Sequence, residues 1–389
     1  MESVEPVTAA PLHGLTPHAP PVLAPELLPV GGQVGPAPED FQVDEVPLYS
    51  ASGQGEHHYL QVRKRLLTTP ELVRRVARAT GVQERDIGYA GLKDKYAVTT
   101  QWLSLPAKAA LSSPLDLGQG VEVLGLSRHE NKLRTGHLLG NRFTIQLVGV
   151  AEDARERAEA IADRLRSRGL PNYFGAQRFG HAGRNLSDAL AWLEGGARGR
   201  GRFEQKLYPS VIQSELFNRY LTARLSIGVQ DLIAGEVVRL EGAGAMFRVE
   251  DVVQEQPRFA ARDLHLMGPM PGPKMRPATA AALELEQEQI QALGLSEKHL
   301  LTLGRLAPGA RRDLFAPLSD LSIEALVGDD SPRLRLSFTL PAGGYATEVL
   351  RQLTHAPFLP PERVRVARSE TETETETETE AEPEPEPET

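Results

Sequence analysis

Strand-type and helix-type patterns alternate along most of this chain of 389 residues, with no glycine-rich phosphate loop and no regular strand–helix–strand spacing. That feature removes the doubly wound nucleotide-binding folds and leaves an α+β arrangement. Tyr59 to Arg63 alternates as a short strand. Thr69-Pro70-Glu71 supplies a cap, a first-turn proline and an early acid, and Gly81 a stop, which predicts a helix between them. Ala97–Leu105 and Asn141–Val150 are rich in β-branched and aromatic residues and read as strands. Helical periodicity follows at Ala154–Ser167, Asn185–Leu193 and Ser210–Leu225. In the last of these, Val211, Leu216 and Tyr220 fall together and read as a buried face rather than a cofactor site. Strand patterns return at Glu236–Leu240 and Ala245–Val253, and a helical one at Ala278–Ala292. A strictly alternating strand covers Leu334–Leu340, and a short helix Tyr345–Leu353. There is no internal repeat.

Both ends fall outside this alternation. Nine prolines in the first 38 residues make residues 1–37 an irregular, disordered Pro-rich arm. Residues 369–389 repeat Thr-Glu and then Glu-Pro, an acidic tail that repels itself and has nothing to bury. Boundaries near Gly169-Leu170-Pro171 and after Gly268–Pro277 suggest that a first domain, residues 38–168 and 319–368, is interrupted by a second, residues 169–318.

The net charge of −9 conceals an uneven distribution. Residues 369–389 hold ten Glu, and residues 1–62 hold eight acids with no Lys or Arg. The body from 63 to 368 is left with 34 acids against 43 bases, a balance of +9. A basic body suits a polyanionic partner, since neutralising phosphates and releasing counterions supplies most non-specific nucleic-acid affinity. Cysteine is absent, which excludes disulfides, thiolate nucleophiles, Cys-based zinc sites and iron–sulfur clusters. The first 30 residues lack the basic n-region of a signal peptide, and no run reaches the ~20 apolar residues of a membrane helix. The expectation is a cytoplasmic protein with no membrane contact. No metal is expected either: HExxH is missing, and the adjacent His57 and His58 face opposite ways in a strand. A GxSxG elbow is also missing.

The densest polar cluster is Gly88-Tyr89-Ala90-Gly91-Leu92-Lys93-Asp94-Lys95-Tyr96, which leads into the β-rich Ala97–Trp102. If extended, Lys93 and Lys95 share one face and Asp94 takes the other. Cations beside a carboxylate favour its ionised form and also attract phosphate. An ionised Asp in a cleft can act as nucleophile or base toward a sugar carbon. A solvated turn presents the same residues, and the cluster alone does not decide between the two.

The cluster resembles the motif II-like segment of the TruD family of tRNA pseudouridine synthases. The likeness continues in family order from about residue 38 to 353. It runs through Pro38-Glu39-Asp40-Phe41-Gln42-Val43-Asp44-Glu45, Gly53-Gln54-Gly55-Glu56-His57 and Asn131-Lys132-Leu133-Arg134-Thr135-Gly136-His137 with Gly140-Asn141-Arg142-Phe143. It continues with Pro171-Asn172-Tyr173-Phe174-Gly175-Ala176-Gln177-Arg178-Phe179-Gly180 and Asn185, then Gln213-Ser214-Glu215-Leu216-Phe217-Asn218, and ends at Leu340-Pro341-Ala342-Gly343-Gly344-Tyr345-Ala346-Thr347.

The resemblance implies an α+β fold, in which a pseudouridine-synthase-like catalytic domain with a mixed, mostly antiparallel sheet is interrupted by an inserted α/β TRUD domain. tRNA would lie between the two. It implies an isomerase that detaches uracil from its ribose, rotates it and rejoins it through carbon, at uridine 13 of tRNA, with no cofactor. The oligomeric state is left open, and a monomer suffices. The family's catalytic Asp falls on Asp94, acting on C1′ as nucleophile or taking a C2′ proton as base. Phe41, Asn141 and Phe143 fall on substrate-binding positions, as does Tyr345, where many relatives carry Phe. Lys93, Lys95, Gln177 and Arg178 are candidate RNA contacts, the last two equally readable as stabilisers of the turn between Gly175 and Gly180. Glu56 and His57 are candidate supports of the site, and Phe174 and Phe179 read as core. The alternative is a non-catalytic RNA-binding module on the same scaffold. A purely structural protein is a third reading, which the body charge opposes.

Overall fold

The computed structural model describes residues 15–111, 114–195, 201–326 and 331–356. The acidic tail 369–389, residues 357–368 of the first domain and residues 1–14 of the arm lie outside the described residues.

The chain opens with β1 (Gly31–Val34), β2 (Phe41–Pro47), β3 (His57–Arg65), α1 (Thr69–Thr80), β4 (Gly88–Tyr89), β5 (Val98–Pro106), β6 (Val121–His129), β7 (Leu138–Val150) and α2 (Ala154–Arg168). It continues with β8 (Leu170–Pro171), α3 (Arg184–Leu193), α4 (Arg202–Ser226), β9 (Val237–Leu240), β10 (Met246–Arg248), α5 (Val252–Ala260), β11 (Leu264–Met270), α6 (Ala280–Ala292), α7 (Glu297–Leu306), β12 (Ala310–Asp313) and β13 (Phe315–Ala316). It closes with β14 (Ser319–Leu326), β15 (Arg333–Pro341) and α8 (Ala346–Thr354).

Nine strands form one sheet with the path β14-β15-β7-β2-β5-β3-β6, β1 joining β7 and β4 joining β5. Its pairings are antiparallel except for β2 with β5. One face carries α1 at one side and α2 with α8 at the other. Leu72, Val73 and Val76 of α1 pack on Leu60, Val62, Leu103 and Leu105, each buried side chain contributing about 1.5–3 kcal/mol. Ile161 and Leu165 of α2 and Val349 and Leu353 of α8 pack on Phe143, Ile145, Leu336 and Phe338. The α1 cap is Thr68, whose side chain accepts from Glu71 N, and Gly81 closes the helix in the left-handed region at φ 71°.

A second core surrounds α4, which is buried on nearly every side from Tyr208 to Leu221. It is flanked by α3 and by the sheet β10-β9-β11-β12. Val211, Leu216 and Tyr220 are all within this core. The short pair β8–β13 stands where the chain passes between the two cores.

Three elements differ from the sequence expectation. The strand pattern Ala245–Val253 resolves into β10 and the start of α5, because Asp251 caps a helix by accepting from Gln254 N at 3.1 Å. Gly268 and Pro269, read as linker, lie within β11, at the point where its pairing passes from β9 to β12. The Pro-rich arm is ordered over residues 15–37. Arg351 donates to the carbonyls of Pro20 and Pro21, Gln352 accepts from Leu23 N, and β1 pairs with the end of β7. Burial of Ala24 and Val30 on α8 and β7 gives that segment the packing its polar composition did not advertise.

Candidate active site

Cα partners in a sheet present their side chains to the same face. Lys64 pairs with Thr99, Thr99 with Val43, Val43 with Phe143 and Phe143 with Phe338, which makes one row across five strands. In the neighbouring row Val62 pairs with Gln101, Glu45 with Asn141 and Asn141 with Leu340. The rows are apolar where helices cover them. Between the helices they are polar, with Thr99, Gln101, Glu45 and Asn141.

The segment Gly91–Tyr96 lies over that polar strip as a loop, and its backbone is held from inside. The Lys64 side chain is fully buried, and its ammonium donates to the carbonyls of Leu67 at 2.5 Å, Asp94 at 2.8 Å and Lys93 at 3.5 Å. Thr69 Oγ1 accepts from Lys93 N at 3.0 Å and donates to Gln101 Oε1 at 3.0 Å. Lys93 Nζ stands 2.8 Å from Glu45 Oε2, an ion pair whose side chains are 5% and 1% exposed. It is an ionic contact without hydrogen-bond alignment, and Glu45 Oε1 takes a long bond from Trp102 N at 3.4 Å. Burial pushes the Lys64 ammonium down to about 8, against the attraction of Asp94, and Lys93 pushes the same way as burial. The carboxylate of Asp94, one residue beyond these anchors, is left exposed.

The extended geometry that would put Lys93 and Lys95 on one face is not what forms. Glu45 draws Lys93 into the interior, while Lys95 stays in solvent with Nζ 5.6 Å from the Tyr96 ring centroid. Lys93 is thus turned toward a buried carboxylate while Lys95 faces solvent. Glu56 and His57 are also displaced. His57 begins β3 and Lys64 stands near its end, so roughly 23 Å of extended chain separates them.

Phe41 is placed by the turn before it. Asp40 Oδ2 accepts from Ala37 N at 2.9 Å, and a Cβ on Gly35 would sit 2.2 Å from that same oxygen, so only glycine lets the turn close. Phe41 is half-buried and meets Phe143 edge-on at 6.3 Å. Phe143 is itself buried, stacked on Phe338 at 5.3 Å. Gly140 lets β7 approach β15, since a Cβ there would lie 2.1 Å from Leu340 O. Asn141, one residue on, has a buried Oδ1 with no hydrogen bond among the described residues.

Tyr345 immediately precedes α8 and packs on Phe174 from the other core, with ring centroids 6.1 Å apart. Gly175 permits the approach, because a Cβ there would be 3.0 Å from Thr347 Oγ1. Asn218 of α4 holds Phe174 by both backbone groups, its Oδ1 accepting from Phe174 N at 2.9 Å and its Nδ2 donating to Phe174 O at 3.0 Å. Phe174 and Phe179 are buried as expected. Gln177 is exposed on the turn Ala176–Phe179, and Arg178 lies with Cζ 5.5 Å from the Phe174 centroid.

Lys64 and the Lys93–Glu45 pair thus hold the Asp94 loop over the sheet face that bears Phe41, Asn141 and Phe143, and Tyr345 follows β15, whose Leu340 pairs with Asn141. Two cavities are outlined elsewhere. One of about 560 Å³ is lined by Gln42, Arg63, Lys64 and Val98, and one of about 880 Å³ lies among residues of α4, α6 and α7. Asp94 lines neither, and its side chain is exposed. Lys64, Thr69, Gln101 and Glu45 were not singled out from sequence. For Lys64 a signal existed, since it continues the buried phase of Leu60 and Val62 along one strand.

The family described as tRNA pseudouridine synthase D (TruD) matches residues 22–187 and 203–353. The chain is 44% identical over 338 residues to a tRNA pseudouridine synthase D of Anaeromyxobacter dehalogenans, covering 84% of this chain and 94% of that protein. It is 40% identical over 342 residues to one of Thermus thermophilus, covering 86% and 91%. In fold it is similar to a crystal structure of a putative tRNA pseudouridine synthase D from Methanosarcina mazei, with a TM-score of 0.69 at 22% identity, covering 88% of this chain and 96% of that one.

Proposed function

The chain belongs to the tRNA pseudouridine synthase D (TruD) family, and from that premise we propose that it isomerises uridine to pseudouridine in tRNA, at position 13, with Asp94 acting on the ribose. One observation carries the assignment of Asp94: it presents an exposed carboxylate from a backbone that Lys64 and Thr69 hold from within, over the sheet face that bears Asn141. The reaction breaks the N1–C1′ bond, forms a C5–C1′ bond, releases the C5 proton and protonates the freed N1, with no net change of composition. Asp94 serves it either by bonding to C1′ or by taking the C2′ proton, and both roles need the carboxylate within about 3 Å of its target.

The uridine must leave its stack, which costs a few kcal/mol, and an aromatic edge returns about 1–3 kcal/mol per base. Phe41 is the half-exposed ring assigned to this, with Phe143 packed edge-on against it. The free acceptor of Asn141 suits the N3–H of uracil or a ribose hydroxyl. Tyr345 is assigned to the substrate, and Lys95, Gln177 and Arg178 to contacts with the RNA around it. We read residues 38–168 and 319–368 as the catalytic domain and 169–318 as the insertion, a division supported by the separate cores around the nine-stranded sheet and around α4. Among the described residues no helix is long and apolar enough to cross a membrane, and a cytoplasmic location follows from the substrate.

Incubation with unmodified tRNA and mapping of pseudouridine tests the reading. The wild-type chain is expected to convert uridine, and Asp94→Asn to fold, bind tRNA and convert none. Turnover by that variant would remove Asp94 from its role, and binding by the wild type without product would favour a non-catalytic RNA-binding module.

A further inference from the structure

Where Asn172–Gly175 passes β12 and the turn before α8, two guanidiniums converge on one ring. Arg312 Cζ is 4.2 Å from the Phe174 centroid and Arg178 Cζ 5.5 Å, and Phe174 in turn meets Tyr345. The Arg312 fork is aimed by neutral groups. Its Nε donates to Asn172 O at 3.2 Å and its Nη2 to Asn172 Oδ1 and to Gly343 O at 3.1 Å, which leaves Nη1 without a hydrogen bond among the described residues.

Neither arginine forms an ion pair among the described residues, and the adjacent Asp313 is engaged by Arg239 Nε at 2.9 Å. This departs from the pattern in the rest of the interior. There Arg224, Arg311 and Arg351 are each paired with a glutamate, at 2.6, 2.5 and 2.6 Å. A half-buried cation without a counter-ion is costly, and a second one beside it adds repulsion. Burial first, and then Arg178, hold the Arg312 guanidinium down at about 10, against the pull of Tyr345 and Asp313. It remains charged at neutral pH, so the pair forms a doubly positive centre with an aromatic floor.

We infer that Arg178 and Arg312 form a phosphate site, which seats one phosphodiester of the RNA beside Tyr345. A phosphodiester matches the centre in charge and in shape, since its two free oxygens can accept from Nη1 of Arg312 and from the Arg178 guanidinium while the Phe174 ring holds the planes of both. It would supply the counter-ion that the protein itself does not. Arg312 thereby becomes an RNA contact contributed by β12, an element of the second core, placed against the turn that leads into the first. The inference rests on the proposed tRNA substrate and adds where that substrate's backbone is gripped.

The test is the salt dependence of tRNA binding by the full chain, measured as Kd between ~50 and ~300 mM salt for the wild type, Arg178→Gln, Arg312→Lys and the double variant Arg178→Gln/Arg312→Gln. Loss of one phosphate contact should raise Kd on the order of tenfold at low salt and flatten the slope of log Kd against log salt by about 1 in the double variant. Arg178→Gln is the milder variant, because its side chain makes no hydrogen bond among the described residues. Arg312→Lys should keep most of the slope while losing affinity, since charge survives and the fork does not. Wild-type affinity and slope in both single variants would overturn the inference, as would weaker binding with an unchanged slope in the double variant, the mark of a structural role only. A wild-type chain that fails to bind tRNA would overturn the proposed function and this site together. A wild-type chain that forms pseudouridine while the variants keep its slope would overturn the site alone.

Discussion

Burying a lysine removes a strongly hydrated charge from water, and Lys64 recovers part of that cost through three backbone carbonyls around its ammonium. One of those carbonyls belongs to Asp94, so the lysine holds the backbone that carries the proposed reacting carboxylate. In Lys64→Met we expect kcat for pseudouridine formation to fall on the order of 100-fold, with the KM for tRNA within about twofold, because misplacement by about 1 Å is enough to cost that much. The pH dependence has a definite sign. With its folded value near 8 and an unfolded value near 10.4, Lys64 binds more protons in the unfolded chain between those limits. Its contribution to stability is therefore lowest below pH 8 and rises toward pH 10.4 by roughly 3 kcal/mol. Activity should move the other way across the same window, since a neutral amine has two N–H donors for three carbonyls. Denaturant titrations and kcat at pH 7.5 and 10, wild type against Lys64→Met, check both, and a variant that keeps the full rise in stability would refute the assignment. Asp94 was legible in sequence because its neighbours form a motif. Arg312 left no such mark, since nothing in Ala310–Asp313 distinguishes an unpaired arginine from a paired one.

At the scale of elements, the blocks that carry the family likeness are mostly packing devices that place the reacting groups. Gly88 admits Leu133 O to 2.2 Å of where a Cβ would stand, and Gly136 N donates to Ala90 O at 2.8 Å, so the segment 131–137 braces the start of the Asp94 loop. Helix α4 braces the other side through Asn218. Asn218→Ala would leave the buried N–H and C=O of Phe174 unpaired, at about 1–3 kcal/mol each. A melting temperature lowered by several degrees, with rescue by Asn218→Gln no better than partial, is the expected outcome of thermal denaturation. Helix boundaries were readable to within a residue where caps mark them, as at Gly81 and at the start of α1, where the cap read at Thr69 is Thr68. α5 was not, because Val252 and Val253 read as strand from their side chains, whereas Val253 is 85% exposed and has no neighbouring strand to pack against.

For the whole molecule, the charge map predicts behaviour better than the net figure of −9 does. With +9 on residues 63–368, tRNA affinity should weaken at least tenfold between ~50 and ~200 mM salt, as filter-binding or fluorescence titrations would show, and a flat response would contradict a footprint of several phosphates. The N-terminal arm illustrates the limit of composition. Among its described residues, 15–37, the arm makes no strand or helix except β1, yet Glu215 accepts from His18 N, and Val30 N donates to Leu353 O, so other elements hold it. By itself the sequence determined the α+β class, the alternation that sets which side of β15 is buried, the position of Asp94 and the family, because these depend on neighbours a few residues away or on motifs kept in order. Only the tertiary structure decided that β15 returns to pair with β7 across the intervening second core, that Lys64 and Lys93 turn inward, and that Arg312 meets Arg178 over one ring. Those outcomes depend on what lies opposite a side chain in space. Burial of a charge is favourable or costly according to partners that the local sequence does not contain.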